Sequence, residues 1–311
     1  MTRNTCPSSF FDFDGKEGGL IMDNVYFPGN GYTFCSWIRL ERASHGSPLR
    51  FFSFFDRKQN GLELQFRGNH LVVQVVAGVK KVIKVSFDHT FQANKWYFIS
   101  VTHNKRFLLS NEIQLYVDGE LRQTCELKYP SIAGKLAFGH FGTNVPYSSQ
   151  LLPQTSAFCG QCGPIAIFDK VLVLQEVQRI FWCGPDFQFT FRKGDSQPRY
   201  FDWPGIDQMS QKLFLCYNPR ACTKDACPDN SQIKKPESCH ARLLSGTSVF
   251  TTRHVRDTLN CIGGVQVIIP LLNLLKQDWT VDYSMCARIV SLITEMLRHS
   301  RINQDTMLQN D

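Results

Sequence analysis

The sequence predicts a mainly β chain, a jelly-roll sandwich of two antiparallel sheets, followed by a short α-helical C-terminal segment. Three observations carry that prediction. Residues 96–121 (WYFISVTHNKRFLLSNEIQLYVDGEL) read as two alternating extended segments around a polar loop; Ile113, Leu115 and Val117 share one face, Gln114, Tyr116 and Asp118 the other. Asp118-Gly119 then supplies the positive φ angles of a tight hairpin, expected at the centre of the sandwich. Short strand-like runs separated by glycine turns recur up to residue 184, and beyond Arg253 the apolar spacing becomes helical.

Taken in order, Phe10–Gly15 opens as a strand and Gly18–Met22 continues it after a glycine turn. Tyr32–Leu40 is the first long strand, with Phe34, Ser36, Ile38 and Leu40 on one side and Cys35 and Trp37 on the other, a two-sided apolar pattern that predicts a central position. Arg50–Phe55, Leu62–Arg67, Leu71–Ala77 and Val82–Phe87 follow as successive hairpins, Gly68-Asn69 and Gly78 making turns. After the 96–121 hairpin come Leu136–Gly139, a polar loop at 143–156, a bent strand at Phe158–Asp169 and a helix over 171–184 that Gly184-Pro185 terminates. These boundaries divide the chain into a tail (1–9), the sandwich (10–184), a strap and linker (185–250) and the first helices of an α-solenoid (251–311). In the strap, Phe187–Phe191 and Leu213–Tyr217 could be extra strands, and Lys224–Glu237 reads as linker. The last segment predicts apolar faces at Val255, Leu259 and Ile262, then at Val265–Leu275, then at Cys286, Ile289, Val290, Ile293 and Leu297. One such repeat does not bury its own face, so further repeats are expected partners.

Composition bounds the function. At 311 residues with 43% hydrophobic content and 25 Phe, the chain can build one large core and part of a second unit. It has no membrane-length apolar run, no signal-peptide pattern in MTRNTCPSSFFDF and no Asn-X-Ser/Thr sequon, which together favour the cytosol. Its 12 cysteines are dispersed and read as reduced thiols. The net charge of +7 is mild; Lys80, Lys81, Lys84, Lys105 and Arg106 could form a basic patch attractive to anionic lipid or nucleic acid, but they read as a solvated face, because the run lacks charge density and the interleaved aromatics that base stacking needs.

Catalytic chemistry is not expected. A glycosidase on this scaffold needs two carboxylates facing one groove, and no E-x-D-x-x-E pattern occurs. Asp12 and Asp14 share strand parity but stand beside Gly15 as turn acids. HExxH, GxSxG and phosphate-loop patterns are also missing. Cys159-Gly-Gln-Cys162 has zinc or redox spacing without a second pair; Cys216, Cys222, Cys227 and Cys239, with His240, could hold zinc or pair as disulfides, but match no closed tetrahedral spacing. No cofactor is expected. Asp118-Gly119 reads as a hairpin closure rather than a calcium loop, and His103 as a satisfied histidine at the sandwich rim. Leu151-Leu152-Pro153, apolar in a polar loop, makes Leu151 and Leu152 the candidate partner contact.

The stretches FDFDG (11–15), GYTFCSWIRLE (31–41), WYFISVTH (96–103), LYVDGEL (115–121) and CGQCGPIAIFDKVL (159–172) resemble the concanavalin A-like lectin domain of BEACH proteins. LFLCYNPRA (213–221) and VRDTLNCIGGVQVIIPLL (255–272) resemble the segment that joins it to armadillo-like repeats in the neurobeachin and neurobeachin-like group. The resemblance implies a fragment of a large cytoplasmic scaffold, peripheral to endomembranes, with PH-BEACH and WD-repeat regions outside these residues. It implies a non-catalytic module binding protein partners in vesicle trafficking. Oligosaccharide binding by the sandwich is the alternative, and a zinc-stabilised adaptor a third.

Overall fold

Asp118 and Gly119 take φ angles of 54° and 79°, and the turn they make joins two paired strands. The computed structural model describes residues 6–23, 25–44, 46–78, 81–143, 156–191, 206–231 and 239–252, and beyond them 266, 268, 270, 283–297, 304, 307 and 308. The chain forms two units, residues 1–251 and 252–311.

In the first unit, β1 (Ser9–Asp14) and β2 (Leu20–Met22) precede the long β3 (Gly31–Leu40). Then come β4 (Leu49–Phe55), β5 (Gly61–Arg67), β6 (His70–Ala77), β7 (Lys81–Thr90), β8 (Trp96–Asn104), β9 (Glu112–Val117), β10 (Glu120–Glu126) and β11 (Phe138–Phe141). After the short β12 (Ser156–Ala157), the expected bent strand is two short ones, β13 (Cys159–Cys162) and β14 (Ile165–Phe168), broken at Gly163-Pro164 because proline has no N–H for the ladder. Helices α1 (Leu174–Cys183) and α2 (Ile206–Lys212) lead into β15 (Leu213–Tyr217), β16 (Ala226–Cys227), β17 (Ala241–Leu243) and β18 (Thr247–Thr251).

Among the described residues these strands form two sheets. The first runs β10-β9-β8-β3-β13-β1-β18, with β14 bridging β3 and β15; the second runs β16-β17-β2-β11-β4-β5-β6-β7. All pairs are antiparallel except the short β12–β4 contact. β8 is interior, as β3 is, but the Asp118-Gly119 hairpin is peripheral, with β10 at the edge. Segment 185–250, expected as strap and linker, contributes β15 and β18 to one sheet and β16 and β17 to the other. Phe187–Phe191 is not a strand; Phe189 and Phe191 take positive φ (56° and 47°) and pack on Phe168.

The core lies between the sheets. Phe34, Ile38 and Leu40 of β3 meet Phe51, Phe52 and Phe54 of β4, Leu62, Leu64 and Phe66 of β5, and Phe141 and Phe158. Cys35 and Trp37, on the other face of β3, pack with Phe98, Tyr116, and Val177 and Ile180 of α1. That second layer explains the two-sided apolar pattern of β3: α1 covers the outer face of the first sheet. With each buried Phe worth about 3–5 kcal/mol against Ala, these two layers hold the sandwich.

In the second unit, α3 (Tyr283–Leu297) places Ile293, Met296, Ile289 and Leu297 against Ile268. Val290, expected inside, is exposed. The stretch 253–265 and the side chain of Cys286 lie outside the described residues. Among those residues, no helix is long and apolar enough to cross a membrane.

Candidate interaction surfaces

The second sheet has an unusual outer face. Because Leu62, Leu64, Phe66, Leu71, Val73 and Val75 point into the core, alternation turns Glu63, Gln65 and Gln74 the other way. Register then lines up Arg242, Ile21, His140, Ser53, Glu63, Gln74 and Lys84 as one row across six strand pairings. An open polar row of this kind would suit a sugar. Yet Arg50, Ser53, Glu63, Gln65, Gln74 and His140 are all buried, none exceeding 6% exposure.

In and beside this row the groups contact one another. Arg50 Nε lies 3.0 Å from Glu63 Oε1, an ionic contact whose angle falls short of a hydrogen bond. Gln74 Nε2 donates to Glu63 Oε2, and Gln65 Nε2 to Gln74 Oε1 at 3.4 Å. Burial raises the Glu63 carboxyl above the ordinary carboxylate range, against the pull of Arg50 and Gln74. Burial, with Arg50 nearby, depresses His140 to about 4, Asp23 opposing. Glu63 therefore meets a guanidinium and an amide, not the second carboxylate a glycosidase needs. The sequence pattern LELQFR exposed the alternation; it held no sign that the polar face was buried.

The other singled-out acids are structural. Asp14 Oδ1 accepts from the N–H groups of Lys16, Glu17 and Gly18 at 2.8, 3.0 and 2.8 Å. Burial pushes its carboxyl up, but those three bonds outweigh it and hold the group below the usual value. Asp12 accepts from Gln161 Nε2 at 2.5 Å. Asp118 Oδ1 accepts from Phe98 N at 2.9 Å while Asp118 N donates to Phe98 O at 2.8 Å, so this acid closes the hairpin.

His103 shares the parity of Tyr97, Ile99 and Val101, and that face is the core. It is fully buried, not at a rim. Nε2 sits 2.9 Å from Leu127 O, and the ring packs on Tyr32 and Tyr129. Burial drives it down to about 4 despite that carbonyl.

Cysteine geometry follows from the strands. Cys159 and Cys162 are three residues apart on extended β13, so their sulfurs point to opposite faces. Cys162 Sγ meets Ser36 Oγ in the core, while Cys159 Sγ donates to Glu41. Burial raises the two thiols to about 12 and about 11. Cys222 and Cys227 do come together, both donating to Asn218 O at 3.3 and 3.5 Å. The Cys222 thiol and burial push Cys227 far up. Cys216 Sγ points to Gln188 O, and Cys239 lends its carbonyl to Tyr217 Oη. None of Cys216, Cys222, Cys227 and Cys239 is joined in a disulfide. Among the described residues no three His, Cys, Asp or Glu side chains are grouped to hold a metal. Leu151 and Leu152 lie outside the described residues.

At one end of the sandwich, residues 25–30, 56–60, 104–111 and 127–137 meet through Lys105 and Gly29, Leu127 and Asn111, Tyr26 and Lys135, and Ala133 and Asp56. The β8–β9 loop, expected to be polar, presents Phe107, Leu108 and Leu109 at 90%, 93% and 69% exposure. Its base is fixed: Arg106 N donates to Asn111 Oδ1 at 2.8 Å, Arg106 Nη1 and Nη2 reach Glu112 at 2.6 and 2.5 Å, and Lys105 Nζ donates to Gly29 O at 3.0 Å. A cavity of about 620 Å³ opens at the same end, lined by Asp23, Asp56, Arg57, Lys58 and residues 133–137 including Lys135. Asp56 is spent on Lys58 N, Asn60 and Ala133 N. The three-residue apolar run within KRFLLSN was the legible signal for this tip.

Residues 14–178 match the family model of the concanavalin A-like lectin/glucanases superfamily. The chain belongs to that superfamily. Residues 234–311 match the neurobeachin/BDCP DUF4704 alpha solenoid region. Along its whole length the chain is similar to a neurobeachin homolog of Caenorhabditis elegans, 27% identical over 331 aligned residues, covering 100% of this chain and 13% of that relative. BEACH domain-containing protein B of Arabidopsis thaliana is 25% identical over 340 aligned residues, covering 99% and 13%. The chain thus spans about an eighth of these relatives. A solved structure from Bacteroides ovatus ATCC 8483, described as a candidate carbohydrate binding protein, superposes with a TM-score of 0.50 at 11% identity over 79% of this chain and 60% of that one. That likeness is one of fold. The resemblance to BEACH proteins read from the sequence stands, and the lectin-like sandwich of this superfamily is the fold observed.

Proposed function

We propose that this chain is a non-catalytic interaction module of a large BEACH-type scaffold that acts in vesicle and membrane trafficking on the cytoplasmic face of endomembranes. The observation that carries the reading is the unbroken similarity to BEACH proteins, sandwich first and solenoid region after, over 100% of the chain. The commitment of Asp12, Asp14, Glu63 and Asp118 to internal partners supports a recognition role. Protein partners bind through the loops, with Leu151 and Leu152 as the proposed contact.

Oligosaccharide binding is the alternative, since the Bacteroides neighbour is described by that activity. It requires an open polar face, and the polar row of the second sheet is buried. The test is co-purification from cell extract with the 311-residue chain, beside a glycan array with and without calcium. Recovery of specific proteins, lost in Leu151→Ala/Leu152→Ala, is the expected outcome. Saturable binding of any sugar, with no protein recovered, overturns the proposal.

A further inference from the structure

Large apolar side chains left fully in water at a loop tip need a reason. Phe107 and Leu108 are almost completely exposed, and Leu109 beside them is largely so. Leu108 also holds a φ of 77°, a left-handed conformation that costs a non-glycine residue energy. Arg106, Asn111, Glu112 and Gly29 pin the stem, so the tip is held out on an ordered base.

The surroundings of this tip are basic. Lys105 lies over the Tyr129 ring at 5.8 Å as well as on Gly29 O. Leu127 N donates to Asn111 O, which places exposed Lys128 beside the stem. The 25–30 loop that receives Lys105 also bridges Lys135 through Tyr26, with Lys135 Nζ 5.9 Å from that ring. Lys135 in turn shares the cavity with Arg57 and Lys58. The acids at this end are Asp23, Asp56, Glu112 and Glu126; Glu112 is paired with Arg106, and Asp56 holds its own turn.

We propose that this end of the sandwich docks on an anionic lipid bilayer, with Phe107, Leu108 and Leu109 entering the acyl boundary and Lys105, Lys128, Lys135, Arg57 and Lys58 meeting the headgroups. A projecting apolar finger with a basic collar matches a bilayer, whose apolar layer lies beneath a negative surface. A protein partner would have to bring a groove cut to three side chains, and stable protein interfaces spread over a far wider patch than this tip offers. The proposal adds a lipid contact to the scaffold reading. Its test contains no protein partner, so its failure leaves that reading intact, and failed co-purification leaves this one intact.

The 311-residue chain is sedimented with vesicles of phosphatidylcholine and of equimolar phosphatidylcholine and phosphatidylserine. The chain is expected to pellet with the second, less so in high salt. The variant Phe107→Ser/Leu108→Ser/Leu109→Ser is expected to bind at least about tenfold more weakly, since each side chain loses its apolar transfer. Its thermal midpoint should stay that of the parent, because these side chains are exposed. Emission from a Phe107→Trp variant should move to the blue on adding the anionic vesicles. Equal sedimentation of triple variant and parent, no binding by the parent, or a blue shift that follows self-association without vesicles overturns the proposal, the last by making the tip a protein contact.

Discussion

Acid should weaken the sandwich through His103, and by an amount the structure sets. Its imidazole is buried against Tyr32 and Tyr129 and held neutral, with a folded-state value of about 4. The unfolded chain carries the ordinary value of about 6.5. The unfolded state therefore binds the proton more tightly, so stability is complete above about pH 6.5 and falls as pH drops towards 4. Between about pH 7.5 and pH 5 the linkage amounts to about 2 kcal/mol from this one residue. His140, also near 4, and the carboxylates titrate over overlapping ranges, so a difference measurement is required. His103→Gln keeps a donor for Leu127 O and removes the titration. Urea unfolding followed by tryptophan emission at both pH values, in parent and variant, gives a double difference in which all other groups cancel. The parent should lose about 2 kcal/mol more than the variant on acidification. Parallel losses in the two proteins refute the reasoning.

The buried ion pair predicts an asymmetry. Glu63→Ala leaves the Arg50 guanidinium buried without its anion and should cost about 3–5 kcal/mol, whereas Arg50→Met/Glu63→Leu should recover most of it; equal losses in urea titrations of both would contradict the pairing. At the hairpin, Gly119→Ala meets two penalties, a φ of 79° and a Cβ 2.7 Å from Phe181. It should cost about 1–3 kcal/mol. Gly119→Asn tolerates the backbone but not the ring, so a thermal midpoint equal to the parent's in that variant rules out the Phe181 clash.

How much was legible depends on how local the signal was. Strand alternation in 113–117, the Asp118-Gly119 turn and the two-faced β3 were read correctly because side-chain direction in a strand follows from the backbone alone. The Cys159/Cys162 spacing was weighed as a metal or redox pair, and only its placement on a strand set the sulfurs on opposite faces. Phe107–Leu109 sat in a loop read as polar, since nothing in a short apolar run says whether a neighbour covers it.

The order of residues by itself determined the period of each segment, the turn chemistry and the resemblance that whole-chain similarity bears out. Folding decided what each face meets: Glu63, Gln74 and His140 are polar in sequence but closed to water in the second sheet, and strands as late as Thr251 pair with β1 at the start of the chain. The physical reason is range. Alternation is fixed by adjacent dihedral angles, whereas burial is fixed by groups scores of residues away that only the folded chain brings together.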